Sequence, residues 1–152
     1  MKRFIQISLA AVIGIALAAC DNKVDPRDAY VGVYNYEVVG TVVFNASIMT
    51  LTVPLDESGT MTITKQGNED KVLIEGIHDP IQATVSGDRL VLEAGTYTTE
   101  QNGIIYEMVL NHGNATLNEK QLSWSVDVQG TARYNSITVP GNGSAVVTAT
   151  KQ

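Results

Sequence analysis

The sequence predicts an all-β domain, built as an antiparallel up-and-down barrel of about eight to ten strands. From Tyr30 to Lys151, Val, Thr, Ile and Tyr recur in short runs that Gly, Asn, Asp and Pro separate, and no window shows a 3.6-residue apolar period. The connections between runs are short, which is typical of neighbouring antiparallel strands. A two-sheet β-sandwich is the alternative. We favour the barrel because few charges or prolines protect the edges of the predicted strands, and closure removes those edges.

The first predicted strand ends at a turn at Gly40, and one of its faces carries Tyr30, Gly32, Tyr34, Tyr36 and Val38. In the run that follows, residues 41–53, one apolar series is even-numbered (Val42, Phe44, Ala46 and Ile48), whereas the next is odd-numbered (Met49, Leu51 and Val53). One extra residue near Ile48, as a β-bulge or a sharp bend, would reconcile the two halves of this run. Residues 56–59 are the next predicted turn.

Turn residues divide the middle of the chain into further strands. Met61 and Ile63 mark one strand, residues 66–70 a turn, and residues 72–74 the strand after it. Pro80 opens the next run, which Ser86-Gly87-Asp88 joins to its neighbour in a tight hairpin. Asn102-Gly103 is the strongest hairpin signal, because both residues tolerate the positive φ that a type I′ turn demands.

The last strands include the clearest alternation in the chain. After a turn at residues 118–120, polar residues alternate with Leu122, Trp124, Val126 and Val128, so this strand buries one face. Two further runs close the domain, residues 132–139 and 144–150, and Pro140-Gly141-Asn142-Gly143 is the predicted turn between them.

The first nineteen residues have the features of a signal peptide. Lys2 and Arg3 precede the apolar run of residues 4–16, and Leu17-Ala18-Ala19-Cys20 follows it. These four residues resemble the lipobox of bacterial lipoproteins, which implies cleavage before Cys20 and attachment of acyl chains to that cysteine. A second acyl chain makes membrane attachment firm. An ordinary secretory signal is the alternative. Cys20 is the only cysteine, so we expect no internal disulfide.

Residues 20–29 are predicted to be a lipidated acidic tether, followed by a single all-β domain over residues 30–152. Asp21, Asp25 and Asp28 lie in a polar segment without a hydrophobic period, which we expect to make few contacts with the domain. Acidic residues here resemble both an inner-membrane retention signal and an export signal of surface lipoproteins. We favour the outer membrane or the cell surface, and a plain spacer is the alternative.

The charge of the chain argues against nucleic acid as a partner. Removal of residues 1–19 takes two of the ten basic residues and none of the sixteen acidic ones, so the formal charge changes from −6 to −8. The remaining bases are scattered singly, whereas phosphate binding needs clustered Lys and Arg. We therefore expect membrane contact through the acyl chains on Cys20 and no nucleic-acid partner.

No residue pattern predicts catalysis, a metal site or a cofactor. His78 and His112 stand beside loops without a second ligand at metal-binding spacing, so we interpret them as exposed turn residues. The pairs Asp56-Glu57 and Glu69-Asp70 match no cation-binding loop and are interpreted as solvated turn charges. No serine lies in a nucleophile elbow. We expect a protein that is not an enzyme.

Five of the aromatic residues are the candidate ligand-binding set. They fall on the apolar faces of predicted strands and are Tyr30, Tyr34, Tyr36, Tyr106 and Trp124. Such residues are usually core, but hydroxyl and indole N–H groups that converge inside a barrel also suit a ligand cavity. Both interpretations stay open.

One segment resembles a known family. Val31-Gly32-Val33-Tyr34 is similar to the opening strand of calycin or lipocalin-like barrels, where Gly-x-Trp or Gly-x-Tyr plugs one barrel end. With the lipobox and the short strands, the chain looks like the small calycin-like lipoproteins of Gram-negative anaerobes. We expect a lipid-anchored envelope protein that binds a small apolar or amphipathic ligand in a barrel cavity. The alternative is an interaction module with a filled core that contacts another envelope protein or a glycan, and the oligomeric state is open.

Overall fold

The computed structural model describes residues 24–47, 49–67 and 69–152. One 3₁₀ helix, Pro26–Ala29, precedes eleven strands within this part of the chain. The strands are β1 (Gly32–Ala46), β2 (Met49–Pro54), β3 (Glu57–Gln66), β4 (Lys71–Gly76), β5 (His78–Ser86), β6 (Arg89–Leu92), β7 (Gly95–Gln101), β8 (Ile104–Leu110), β9 (Gly113–Asn118), β10 (Gln121–Tyr134) and β11 (Ile137–Lys151). The predicted all-β class is confirmed.

Eight of these strands form a closed antiparallel barrel. They pair in chain order, β1-β3-β4-β5-β6-β9-β10-β11, and β11 pairs back with β1. That closing register runs from Tyr34 opposite Lys151 to Phe44 opposite Gly141. Because the first and last strands of the domain pair, the barrel prediction is confirmed and the sandwich alternative is wrong.

The other three strands are insertions into this meander. β2 pairs with the second half of β1, beyond the part of β1 that pairs with β3. β7 and β8 form a hairpin, and β8 pairs with β10 from Val128 to Arg133. Both insertions therefore lie toward the same end of the barrel, where β1, β10 and β11 are long enough to carry extra partners.

Several predicted hairpins are confirmed. Asn102 and Gly103 have φ values of 54° and 75° and join β7 to β8, as a type I′ turn requires. Gly87 has φ 64° between β5 and β6, and Glu119 has φ 54° between β9 and β10.

Three stretches that contain glycine and are predicted as turns lie wholly or mostly inside strands instead. β1 runs straight through Gly40, where a Cβ would lie 2.5 Å from the carbonyl oxygen of Ser144. β3 already begins at Glu57, and a Cβ at Gly59 would lie 3.0 Å from the ring of Tyr36. β11 runs through residues 140–143, where a Cβ at Gly141 would collide with the Phe44 ring. These glycines serve close approach within the sheet and do not reverse the chain.

The predicted phase change near Ile48 has a different cause from the expected bulge or bend. β1 ends at Ala46 and β2 begins at Met49, and these two residues pair with each other. The chain therefore reverses in a hairpin, which resets the alternation of inward and outward positions. Ile48 itself lies outside the described residues.

One end of the barrel is closed by its core. Tyr34 is fully buried there, and its hydroxyl donates a hydrogen bond of 2.6 Å to the backbone carbonyl of Tyr30. Ile63, Leu90 and Leu122 are fully buried as well. These side chains belong to one hydrophobic cluster that continues along the barrel interior.

Residues 25–29 are docked against the barrel. Asp25 caps the 3₁₀ helix, accepts from the Arg27 side chain, and lies 2.9 Å from the Lys65 ammonium. Arg27 also donates to the carbonyl oxygens of Gly67 and Glu69, at the β3–β4 turn. The expectation of few contacts is therefore wrong for residues 25–29, because the aspartates and Arg27 bind charged and backbone groups of β3 and its turn. Cys20 and Asp21 lie outside the described residues.

Among the described residues, none lies in a helix of the length and hydrophobicity that a membrane crossing would need.

Candidate functional site

A cavity of about 340 Å³ opens at the end of the barrel opposite Tyr30 and Tyr34. This volume falls at the lower end of the range for small-molecule sites. Its base is formed by Trp124 and Val126 of β10 and by Ala145 and Val147 of β11. Strand alternation directs these four side chains inward, and all of them are buried.

The two insertions build the walls above this base. The β7–β8 hairpin contributes one wall, which includes Tyr97, Tyr106, Met108 and Leu110. The segment from β2 to the start of β3 contributes another wall, residues 53–57. Ile77 and Leu92 belong to the part of the apolar lining that lies outside the two insertions. The insertions therefore extend the barrel interior into a pocket that is lined by residues of both the barrel and the inserted strands.

The structure divides the predicted aromatic set between the two ends of the barrel. Tyr106 and Trp124 line the cavity. Tyr36 is buried below the mouth and reaches it through a hydrogen bond from its hydroxyl to Glu57. Tyr30 and Tyr34 belong to the closed end and do not border this cavity.

A polar network crosses the mouth of the cavity. One oxygen of Glu57 accepts from the Tyr36 hydroxyl, and the other lies 2.7 Å from Nε2 of His78. The His78 ring packs on the Tyr97 ring with 3.9 Å between centroids and 33° between planes. Two effects raise the pKa of Tyr36 to about 12: burial is the larger, and the hydrogen bond to Glu57 is the second. The network thus ties together β1, β3, β5 and β7.

The backbone around His78 is shaped to place its ring in this network. The register of β4 and β5 shifts between Ile74 and Gly76, and His78 has φ 49°, in the left-handed region. Such conformations are unfavourable for residues with a side chain and persist where surrounding contacts impose them. His78 is exposed, as interpreted from the sequence, but it is the first residue of β5 and not a turn residue, and its ring contacts Glu57 and Tyr97.

The remaining titratable candidates lie apart from this network. His112 is outside the cavity lining, with Nδ1 3.4 Å from the carbonyl oxygen of Leu92. Glu57 and Glu69 stand at opposite ends of β3, so the two carboxylate pairs do not meet. Within the described ranges, no group of three or more His, Cys, Asp or Glu residues is close enough to hold a metal ion.

Sequence reasoning missed Glu57, His78 and Tyr97 as members of one site. About twenty residues separate Glu57 from His78 and His78 from Tyr97 in the sequence, and the three residues lie on three different strands. The β7–β8 insertion brings Tyr97 over His78, and no local pattern indicates where an inserted hairpin will lie. The positive φ of His78, next to a strand register shift, is also invisible in the sequence.

Comparisons with known proteins give distant structural likenesses only. No protein-family model matches the sequence, and no curated protein matches it. The ywiB protein from Bacillus subtilis is similar over 79% of this chain and 93% of its own, with a TM-score of 0.34 and 9% identity. The S-type phycobiliprotein lyase CPES from Guillardia theta is similar over 86% of this chain and 96% of its own, with a TM-score of 0.29 and 9% identity. The barrel assignment rests on the strand pairings described above, and these likenesses carry no inference about ligand or activity.

Proposed function

We propose that this protein is a lipid-anchored protein of the cell envelope that binds a small apolar or amphipathic ligand in the barrel cavity and catalyses no reaction. The cavity carries the proposal. It is open to solvent at one end, has a volume within the range of small-molecule sites, and has an apolar and aromatic base. An interaction module with a filled core would not need such a space.

The anchor part of the proposal is supported by the sequence. Leu17-Ala18-Ala19-Cys20 follows a cationic start and an apolar run. Acyl chains on Cys20 would hold the barrel at the membrane, and we propose the outer membrane or the cell surface as its location. Cells that express the protein should incorporate radiolabelled palmitate into it, and the Cys20→Ala variant should incorporate none. Equal labelling of both proteins would contradict the anchor.

Ligand binding can be measured through the fluorescence of Trp124, which is the only tryptophan and lines the cavity. A saturable change of its emission during titration with a panel of small apolar and amphipathic compounds would support the proposal. Val126→Phe places a larger side chain at the cavity base and should weaken binding. Its fold is checked by circular dichroism, since overpacking costs about 1–3 kcal/mol.

A second variant, Tyr106→Phe, tests the polar group of the cavity lining, and Tyr134→Phe is its matched control. Both changes remove one hydroxyl, but Tyr106 lines the cavity whereas Tyr134 is half exposed near the β10–β11 turn. Only the Tyr106 change should alter affinity for ligands that carry a polar group. A panel that never changes Trp124 emission would refute ligand binding and favour the interaction module.

A further inference from the structure

The mouth of the cavity is negatively charged. Among the described residues that line it, none is Lys or Arg, and four are carboxylates: Asp56, Glu57, Glu93 and Glu100. His78 is the described lining residue that can become cationic, and its protonation would offset one of these four charges. Since a cleft with low-dielectric walls concentrates the field of such charges, the opening favours positively charged molecules.

Below this acidic mouth, the lining suits an apolar group and the faces of aromatic rings. Tyr97, Tyr106 and Trp124 present rings, whose faces attract cations as well as alkyl groups. Tyr106 is 3% exposed, and its hydroxyl makes no hydrogen bond to any described residue. Since no fully enclosed side-chain polar atom in the described part of the chain lacks a hydrogen-bond partner, this hydroxyl is in contact with open space, and Tyr106 lines the cavity. It is therefore available to a ligand.

Glu57 is fixed in place before any ligand arrives. Tyr36 and His78 each hold one of its two oxygens. A carboxylate has about four lone-pair positions, so each oxygen can accept one more hydrogen bond. A group held in this way loses little conformational freedom on binding, which favours affinity.

We propose that the cavity binds an amphipathic cation, an amine or ammonium compound with a single apolar portion. The apolar portion lies against Met108 and Trp124, and the cationic head lies among the carboxylates of the mouth, with Glu57 as its fixed partner. An amphiphile with a carboxylate head, such as a fatty acid or a bile acid, would meet charges of its own sign. This inference rests on the ligand-binding function proposed above and names the chemical class of the ligand.

Three probes of equal chain length separate this inference from ligand binding in general. Decylamine, decanol and decanoate differ only in a cationic, neutral or anionic head, and each is titrated below its micellar concentration while Trp124 emission and heat of binding are recorded. We expect decylamine to bind on the order of tenfold more tightly than decanoate, with decanol between them. Equal affinity for all three would overturn the cation inference but leave the binding function standing. Binding of none of them would overturn both.

Substitutions at the mouth test the role of the carboxylates. Glu57→Gln should weaken decylamine binding by about fivefold and leave decanol binding unchanged. The triple variant Asp56→Asn, Glu93→Gln, Glu100→Gln leaves the Glu57 network intact and should weaken decylamine binding by a similar factor. Glu37→Gln is the control, because Glu37 is exposed on β1 and does not line the cavity. Unchanged decylamine affinity in both mouth variants, with decanol binding retained, would overturn the inference.

Discussion

Removal of the Tyr36 hydroxyl tests the polar network at the cavity mouth through the pH dependence of stability. The hydroxyl is buried and donates to Glu57, and both effects hold the pKa of Tyr36 at about 12 in the folded state. In the unfolded chain the pKa of a tyrosine is about 10. The folded state therefore keeps this proton over a range of pH in which the unfolded state releases it.

The free energy of unfolding depends on pH because Tyr36 has a higher pKa in the folded state than in the unfolded state. Because the folded pKa is raised, the contribution of Tyr36 is fully present below about pH 10 and is lost as the pH rises toward 12. At pH 11 the wild type should have lost about 1 kcal/mol through this group. Between pH 7 and 9, Tyr36→Phe should be about 1 kcal/mol less stable than the wild type, since one hydrogen bond to a partly exposed carboxylate is removed.

The free energies of unfolding of the wild type and Tyr36→Phe should therefore converge near pH 11. Urea denaturation followed by far-ultraviolet circular dichroism measures them without interference from tyrosine ionisation. Tyr134→Phe is the control, because Tyr134 is half exposed and its change should leave the pH dependence of the wild type intact. A constant difference between wild type and Tyr36→Phe from pH 7 to 11 would refute the assigned hydrogen bond and burial.

Three further substitutions test the barrel and its N-terminal contact. Leu90→Ala removes a fully buried side chain near the closed end and should lower the free energy of unfolding by about 2–5 kcal/mol in urea denaturation. Gly141→Ala should cost about 1–3 kcal/mol, because the new methyl group meets the Phe44 ring, whereas Gly95→Ala adds a methyl group in open space at a residue without a positive φ; equal costs for the two would contradict the strand assignment of residues 140–143. Arg27 and Lys65 hold the pKa of Asp25 well below its usual range, so its contribution is present above about pH 4 and is lost as the pH falls through the folded pKa. Thermal unfolding of Asp25→Asn should accordingly be less sensitive to acid below pH 4 than that of the wild type, and identical acid sensitivity would contradict the docked position of residues 25–29.

The sequence predicts hairpins and strands correctly where the residues of the element itself determine its backbone conformation. Asn102-Gly103 forms the predicted hairpin because the positive φ of that turn is itself a property of these two residues. The alternation of Trp124 and Val126 with polar residues likewise identified a strand with one buried face. Short connections then made a meander of antiparallel strands the simplest topology, and that topology is observed.

The sequence predicts the wrong structure, or none, for residues whose role depends on a partner far away in the chain. Glycine is common both in turns and where another strand comes close, so the sequence predicts turns at Gly40 and Gly141, whereas these residues lie opposite Ala145 and Phe44. The cavity arises from the same long-range pairing, because β7 and β8 are inserted between barrel strands and their position is set by β10. Of the candidate site, Tyr106 and Trp124 could be proposed from their strand faces, whereas the contacts among Glu57, His78 and Tyr97 could not.

The central claim is that a ligand enters the open end of this barrel and lies on Trp124. Backbone amide chemical shifts of the ¹⁵N-labelled protein, recorded during a decylamine titration, measure this directly. We expect the largest saturable shifts at the cavity, in residues such as Met108, Trp124 and Ala145, and none at the closed end around Tyr34. Shifts that spread over the outer faces of the strands, or that are largest around Tyr34, would contradict the account.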